Sequence, residues 1–289
     1  MADSKPAPVP GDDRPGDLLV TVAPTGAETS KADCPALPTT LRELVETAQA
    51  CEEAGAAMVH VHIRDDDHQP TLELGRLTET VDALHRETRL VVQLSTGGSV
   101  HDPLEDRLRV LDAQPDSCSL TMGTTNFGDD VFLNPWGFVT DLYQLSQERE
   151  VVPEFEMFDL GHVQALHRLL GKYGLPYGGR VHCDLVMGVP GGMPGTADAL
   201  VAAVNALPDA VTSWSATGIG RTTLAVALAA LSKGGHLRVG MEDVLTLAKG
   251  VPVEHNAQLV ERAVRLGALA QRKPMTPDEA RDLLNVKRR

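Results

Sequence analysis

Short apolar runs alternate with longer amphipathic segments along most of this chain. The short runs have the length and β-branched content of buried strands, and the longer segments repeat apolar residues at helical spacing. The predicted strands are Leu18–Ala23, Ala57–Ile63, Leu90–Ser95, Ser117–Met122, Val152–Phe158, Val181–Gly188, Val211–Ala216 and Leu237–Met241. The predicted helices are Leu41–Gly55, Leu74–Arg86, Asp102–Leu111, Gly137–Arg149, His162–Tyr173, Thr196–Ala206, Gly220–Ser232 and Asn256–Gln271.

This alternation predicts the fold class. Consecutive strand–helix units imply a parallel sheet, and eight of them in 289 residues fit a (β/α)8 TIM barrel. A doubly wound sheet is the alternative, but no G-x-G-x-x-G motif follows the first predicted strand, which weakens a dinucleotide-binding interpretation. We expect residues 1–17 to form a flexible tail and residues 18–289 to form one barrel domain. A C-terminal helical extension begins with Thr276 as N-cap and Pro277 as the first helical residue.

Composition and charge exclude several classes of partner. The net charge of −14 makes the surface repel nucleic acids and anionic membranes, so we expect neither as a partner. No run approaches the 18 apolar residues of a membrane span, and the N-terminus lacks the pattern of a signal peptide. Cys34, Cys51, Cys118 and Cys183 form no C-x-x-C pair, which favours a reduced, cytoplasmic protein.

The second predicted strand carries two histidines, His60 and His62. Side chains two apart on a strand share a face, so both imidazoles point the same way, close enough to hold one metal ion. With a carboxylate as third ligand and an open fourth position, they would form a catalytic zinc site. The alternative is a pair of core histidines with no ligand. The Arg-Asp that follows them and the turn-like run of aspartates favour the metal site.

Polar residues also follow other predicted strands, where a barrel places its active site. Each has a plainer alternative: the glycine-rich turns as tight connections, Glu28 as a solvated loop acid, and Arg238 as a structural ion-pair partner. Their joint occurrence is harder to dismiss, because the strands are otherwise rich in valine and leucine. These segments are Pro24–Lys31, Gln93–Gly98, Gly123–Gly128 and His236–Asp243.

Seven motifs, in order along residues 18–284, give the chain a specific resemblance. They are T-G-A-E-T-S-K at 25–31, H-V-H-I-R-D at 60–65, Q-L-S-T-G-G at 93–98, G-T-T-N-F-G at 123–128, G-V-P-G-G-M at 188–193, G-I-G-R at 218–221 and G-H-L-R-V-G-M-E-D at 235–243. With them the chain resembles the β-keto acid cleavage enzymes, whose founding activity is 3-keto-5-aminohexanoate cleavage. The chain departs from the family in its 17-residue leader and at Met241, where an aromatic residue is expected; Thr125 stands at a variable position.

The resemblance implies a zinc-dependent TIM barrel, a homo-oligomer and specifically a tetramer, with acetyl-CoA as co-substrate. It implies that His60, His62 and Glu242 bind the metal. In the reaction it implies, the enolate of a β-keto acid attacks acetyl-CoA, and the released coenzyme A then attacks the original ketone. Retro-Claisen cleavage yields acetoacetate and a new acyl-CoA. Zinc, as a Lewis acid, would stabilise the enolate.

The resemblance also implies roles around the metal. An arginine–aspartate pair, here Arg238 and Asp243, takes part in deprotonation; since an arginine pKa exceeds about 12, Asp243 is the better candidate base. Glu28 would lie at the pocket edge, near the variable end of the substrate. The residues expected to bind substrate are Ser95, Thr96, Gly97, Thr124 and Asn126. Candidates for the coenzyme A phosphates are Val189–Pro194 and Arg221.

Two other functions remain open from the sequence. A zinc hydrolase on the same barrel would use the metal to activate water, and a metal-binding or ligand-sensing barrel would lack a base. The presence of Arg238 and Asp243 argues against the sensor. Because Glu28 has no assigned counterion unless it pairs with Lys31, we expect a cationic or hydroxylated substrate tail rather than an anionic one.

Overall fold

The computed structural model describes residues 16–287, and the core of this region is a closed barrel of eight parallel strands. Around the barrel, each strand pairs with its neighbours in the sequence, and β8 pairs with β1. A doubly wound sheet is therefore excluded, and the predicted (β/α)8 fold is confirmed. The strands are β1 Val20–Val22, β2 Met58–Val61, β3 Val91–Leu94, β4 Ser117–Thr121, β5 Val152–Met157, β6 Val181–Met187, β7 Val211–Gly218 and β8 His236–Val239.

Helices follow the strands at the predicted places. The helix after β1 begins with a capping box between Thr40 and Glu43 and ends at Gly55, whose φ of 108° is left-handed. The helices are α1 Leu41–Ala54, α2 Leu74–Glu87, α3 Leu104–Arg109, α4 Trp136–Glu148, α5 Leu160–Tyr173, α6 Ala197–Ala206, α7 Thr223–Ser232, α8 Asn256–Leu269 and α9 Pro277–Leu284. The predicted start of α9 is confirmed, with Thr276 as N-cap and Pro277 in the first turn.

Three local features differ from the prediction. Helix α3 starts at Leu104 rather than Asp102, because a residue before proline is disfavoured in helical conformation. Helix α7 starts at Thr223, because Gly220–Thr222 form a separate 3-10 turn whose first residue, Gly220, has a φ of 57°. Three hairpins also lie between the main elements, and their strands have only two or three residues each. They pair Ile63–Arg64 with Pro70–Thr71, Thr125–Phe127 with Asp130–Phe132, and Thr246–Ala248 with Val251–Pro252.

Side chains alternate along each barrel strand between an apolar outer layer and a polar lumen. Outward residues such as Val59 and Phe155 belong to the main hydrophobic core. Inward residues bond across the lumen: Gln93 of β3 donates to Glu154 of β5, and Arg238 of β8 donates to Glu156 of β5. The polar rows end at the carboxyl ends of the strands, so the lumen supplies the floor of the functional site.

The opposite end of the barrel is closed by α9. Ala280 and Leu284 pack against Leu19, Met58 and other residues at the amino ends of the strands. Arg281 donates to the Leu90 carbonyl and to Asp116, and these contacts fix the helix across the end. We call this end the barrel floor and the opposite end the mouth.

The described region includes the barrel domain, but only the last two residues of the predicted N-terminal tail. Residues 1–15 lie outside the described region, while the carbonyls of Gly16 and Asp17 accept hydrogen bonds from Arg272. Within residues 16–287, we find no helix with both the length and the apolar character needed to cross a bilayer. All four cysteines are buried and unpaired.

Candidate metal and active site

Three ligand-bearing side chains converge at the mouth of the barrel. His60 and His62 project from the end of β2, and Glu242 follows β8, two strands away in the closed barrel. Each histidine Nε2 lies 3.7 Å from Glu242 Oε1, and ligand atoms of the three residues lie within 4.8 Å of one another. The structure therefore brings together all three predicted metal ligands, although they are separated by up to 182 positions in the sequence.

The surroundings fit a metal ion. His60 Nδ1 lies 2.6 Å from Gln93 Oε1, and the Gln93 amide nitrogen donates to Glu154 Oε1 and Ser117 Oγ, each at 3.2 Å. Because the amide must face the Glu154 carboxylate, its oxygen must face His60. That fixes the proton on Nδ1 and leaves the Nε2 lone pair directed at the site. Glu242 Oε2 is buried and has no hydrogen-bond partner among the described residues, as expected of an oxygen reserved for a ligand.

The protonation states suit metal binding as well. Burial, assisted by Arg238, lowers the pKa of His60 to about 4, and burial also lowers the pKa of His62, so both imidazoles are neutral at pH 7. Burial favours the neutral acid of Glu242, but Arg238 and the histidines outweigh it and lower the pKa to about 2. Two neutral imidazoles and one carboxylate form the donor set of a catalytic zinc site.

Arg238 lies beside these ligands and contacts three carboxylates. Its guanidinium donates to Asp243 Oδ1 at 3.1 Å, to Glu156 Oε1 at 3.2 Å and to Glu242 Oε1. Burial raises the pKa of Asp243 to about 7, although Arg238 opposes this shift. A carboxyl group with a pKa near the working pH can both accept and return a proton. The predicted Arg238–Asp243 pair is thus brought together in the site.

Sequence reasoning missed the other acids in the lumen. Burial raises the pKa of Glu156 to about 7, and its Oε2 accepts from Thr121 at 2.8 Å. Deeper in the lumen, Glu154 lies 3.2 Å from His182, and Asp184 accepts from Thr217. The signal was present, because V-P-E-F-E-M in β5 and V-H-C-D-L-V-M in β6 alternate polar and apolar residues as the two faces of a strand do.

These groups line one open cleft at the mouth. Arg238 is the sole cationic side chain among its lining residues within 16–287. The metal ligands and the Arg238–Asp243 pair occupy the side formed by β8, β1 and β2, while aromatic and aliphatic side chains occupy the side of β5, β6 and β7. The lining includes Glu28, His60, His62, Ser95, Gly97, Phe127, Phe132, Glu156, Phe158, Val186, Val189, Ile219, Arg238, Glu242 and Asp243.

Predicted substrate-binding residues divide into two groups. Ser95 and Gly97 line the cleft, and Ser95 Oγ accepts from the Gly97 amide in the turn after β3. The structure places the other three elsewhere. The Thr96 hydroxyl donates to the Ser119 carbonyl, that of Thr124 accepts from the Asn134 amide, and Asn126 is an exposed hairpin residue. The hairpin turns Phe127 and Phe132 toward the cleft in place of Thr124 and Asn126.

Glu28 lines the cleft from the loop after β1 and is exposed. Lys31, the alternative partner, instead pairs with Glu43 at 2.8 Å. Arg64 lies close enough for its charge to interact with that of Glu28, and its Nη2 also donates to the carbonyls of Gly26 and Thr29 on the same loop. Arg64 therefore holds the loop and partly balances the charge of Glu28.

Comparison with known proteins places these residues in a family context. The family model for β-keto acid cleavage enzymes matches residues 17–286. A 3-keto-5-aminohexanoate cleavage enzyme of Acetoanaerobium sticklandii is 36% identical over 271 residues, which cover 93% of this chain and 98% of that protein. A 3-oxoadipate:acetyl-CoA acetyltransferase of Cupriavidus necator is 36% identical over 275 residues, covering 93% and 94%.

Among solved structures, the complex of ObcA with oxaloacetate has a similar fold. It superimposes with a TM-score of 0.73 at 21% identity, over 88% of this chain and 68% of that one. At that identity the likeness supports the barrel fold alone.

Proposed function

This chain belongs to the β-keto acid cleavage enzyme family, and from that premise we propose that it is a zinc-dependent β-keto acid:acetyl-CoA acyltransferase. The reaction would consume a β-keto acid and acetyl-CoA and release acetoacetate and a new acyl-CoA. The observation that carries the proposal is the convergence of His60, His62 and Glu242 beside Arg238 and Asp243 in one cleft. The family and the enzyme class predicted from the sequence are both confirmed by the relatives.

His60, His62 and Glu242 would hold the zinc ion. When bound, zinc supplies a Lewis acid that lowers the pKa of the C2 protons of a β-keto acid and stabilises the enolate. The protein contributes two neutral imidazoles, that of His60 held in a fixed tautomer through Gln93, and the Glu242 carboxylate, whose second oxygen has no hydrogen-bond partner within residues 16–287.

Asp243 is the group that we propose removes the C2 proton. Its pKa of about 7 lets it take the proton from the β-keto acid and return it to the acetoacetate enolate after cleavage. Arg238 remains charged, because its carboxylate neighbours raise its pKa against the effect of burial. It therefore orients Asp243 and attracts the substrate carboxylate rather than acting as a base.

The turn after β3 would bind the substrate carboxylate, through Ser95 and Gly97 at the edge of the cleft. For coenzyme A, the part of the predicted loop that follows Val189 packs against the hairpin that carries Asn126, where Gly191 lies beside Asn126. Arg221 is exposed at the same end of the barrel. Roles for this loop and for Arg221, a cytoplasmic location and a homo-oligomeric assembly, including the tetramer, stay predictions.

Metal analysis combined with turnover tests the proposal. We expect one divalent metal per purified chain, and acyl-CoA formation only when a β-keto acid and acetyl-CoA are both present. His60→Ala should lose the metal and the activity together, whereas His101→Ala, an exposed histidine outside the cleft, should retain both. Turnover without acetyl-CoA would favour the zinc hydrolase instead, and a His60→Ala variant with full metal content would contradict the site.

A further inference from the structure

The side of the cleft opposite the metal ligands is apolar, and its position follows from the register of the strands. Phe158, Val186 and Ile219 each stand two residues beyond a lumen-facing polar residue, so they face the lumen one step nearer the mouth. Those polar residues are Glu156 in β5, Asp184 in β6 and Thr217 in β7. The polar lumen therefore changes to an apolar surface on three adjacent strands.

The hairpin after β4 completes this surface. Phe127, Phe132 and Phe158 form a triangle of edge-to-face rings with centroids 6.1 to 6.4 Å apart. Phe158 packs with Val186 and Val189 in a cluster separate from the main core. We call these six side chains the apolar wall: Phe127, Phe132, Phe158, Val186, Val189 and Ile219.

Resting on the proposed function, we infer that the apolar wall binds the variable tail of the β-keto acid and that the preferred tail is a short alkyl chain. The carboxylate end of the substrate is held at β8, β2 and β3. The tail then extends across the cleft toward β5, β6 and β7 and away from Glu28, which follows β1.

A charged tail does not fit this surface. Arg238, the one lining cation within residues 16–287, is already bonded to three carboxylates, and the wall itself offers neither a countercharge nor a hydrogen-bond donor. A carboxylate or ammonium group placed there would lose its water without compensation. This separates the chain from a relative whose name specifies 3-oxoadipate, a substrate with an anionic tail.

The arm of coenzyme A is a poorer occupant of the same surface. Phe132, Phe158, Val186 and Val189 are all buried, so the wall offers only a small accessible apolar surface at one side of the cleft. A pantetheine arm must reach solvent and carries two amides, which would remain unpaired against these side chains. A tail of a few methylenes can cover this small surface without placing a polar group against it.

Kinetics with matched substrates test the inference. From 3-oxopentanoate to 3-oxoheptanoate, we expect kcat/KM to rise about threefold to fourfold per methylene. Against 3-oxohexanoate, 3-oxoadipate replaces the terminal methyl by a carboxylate, and 5-amino-3-oxohexanoate adds an ammonium group. Both should have kcat/KM lower by at least about tenfold.

A wall variant locates the effect. Val186→Thr keeps the shape but adds a hydroxyl, and it should lower the ratio of kcat/KM for 3-oxoheptanoate to that for 3-oxopentanoate by about fivefold. Val131→Thr, on the solvent side of the hairpin, should leave that ratio unchanged.

A preference for either charged substrate would overturn the inference, while the cleavage chemistry would stand. An equal loss for all β-keto acids with a raised KM for acetyl-CoA would also overturn it, since the wall would then bind coenzyme A. Absence of turnover with every β-keto acid would instead contradict the proposed function.

Discussion

Two buried aspartates lie at opposite ends of the barrel, and their environments shift their pKa values in opposite directions. At the floor, burial favours the neutral acid of Asp116, but His85, the Val92 amide and Arg281 outweigh it and lower the pKa to about 2. At the mouth, burial and then the negative charge of Glu242 raise the pKa of Asp243 to about 7, although Arg238 opposes them. Arg238 also pairs with Glu156 and Glu242. Asp116 and Asp243 have similarly small exposed fractions. They differ in the groups around each carboxylate: several groups stabilise the charge of Asp116, whereas Arg238 pairs with two other carboxylates besides Asp243.

The difference separates residues that stabilise the fold from residues held for a ligand. Asp116, at the floor, holds α9 on the barrel through Arg281 and is fully ionised at neutral pH. At the mouth, three carboxylates share one guanidinium, and Glu242 keeps a buried oxygen without a partner in the described chain. Such an arrangement is costly unless a cation or a substrate completes it.

The largest effect is expected at the mouth. Asp243→Asn should lower kcat by about 10²–10⁴-fold, since a positioned base is lost. The thermal midpoint should not fall, because folding already disfavours the ionised form of this acid and an amide carries no charge. Arg238→Ala is a less specific test, since it would leave several buried acids without a cation. Steady-state kinetics and calorimetry measure the two quantities.

Asp130→Asn, on the exposed hairpin beside the cleft, is the matched control and should change neither kcat nor the midpoint. If Asp243→Asn kept activity within about threefold of the parent, well short of the effect of a lost base, the assignment of the base would be wrong.

At the floor, an aspartate-to-asparagine substitution should change the stability of the fold rather than the activity. The pKa of Asp116 is lowered from 3.8, so its contribution is present above that value and is lost as the pH falls through about 2. Asp116→Asn should therefore lower the free energy of unfolding by about 2 kcal/mol at pH 7. The difference should vanish toward pH 2, and kcat should be retained. Urea denaturation across this pH range measures it.

Asp112→Asn serves as the control, since Asp112 forms a surface ion pair with Arg149 that contributes less than about 1 kcal/mol. A loss for Asp116→Asn that did not depend on pH would mean that packing, and not the charge, holds α9 to the floor.

The smallest effect should come from the lumen between the two ends. Glu154→Gln preserves volume but no longer compels Gln93 to turn its oxygen toward His60. The affinity for zinc should fall about tenfold, as is typical when a partner of a metal ligand is lost. Competition with a chromogenic chelator measures this affinity, and the exposed Glu148→Gln is the control. Unchanged affinity would show that the tautomer of His60 is fixed by other means.

How much could be predicted from the sequence also differs between the parts of the molecule. The eight units were predictable because apolar strands and amphipathic helices differ in period and length. The metal ligands were identified through the His60–His62 spacing and the family motifs. The hairpins were missed because strands of two or three residues leave almost no periodic signal, and the displacement of Thr124 and Asn126 from the cleft follows from one of them.

The lumen acids were missed for another reason. Strands of a parallel barrel are buried on both faces, so an apolar run is the expected pattern. A single polar residue within such a run is therefore easily taken for an isolated departure and not for part of a site. The alternation of Glu154 and Glu156 indicates a functional face only in the closed barrel, where Arg238 of the non-adjacent strand β8 contacts Glu156. Such a pairing depends on closure of the sheet, which no local pattern specifies.

We propose that the protein transfers an acyl group between a β-keto acid and acetyl-CoA with the help of a metal held by His60, His62 and Glu242. Incubation of 3-oxohexanoate with acetyl-CoA labelled with ¹³C in the acetyl group tests it most directly, using the zinc-loaded protein, the chelator-stripped protein and the restored protein. We expect labelled acetoacetate and unlabelled butyryl-CoA in equal amounts, with both products lost on stripping and regained with zinc. Labelled acetate with free coenzyme A, or labelled acetoacetate formed equally well by the stripped protein, would contradict it.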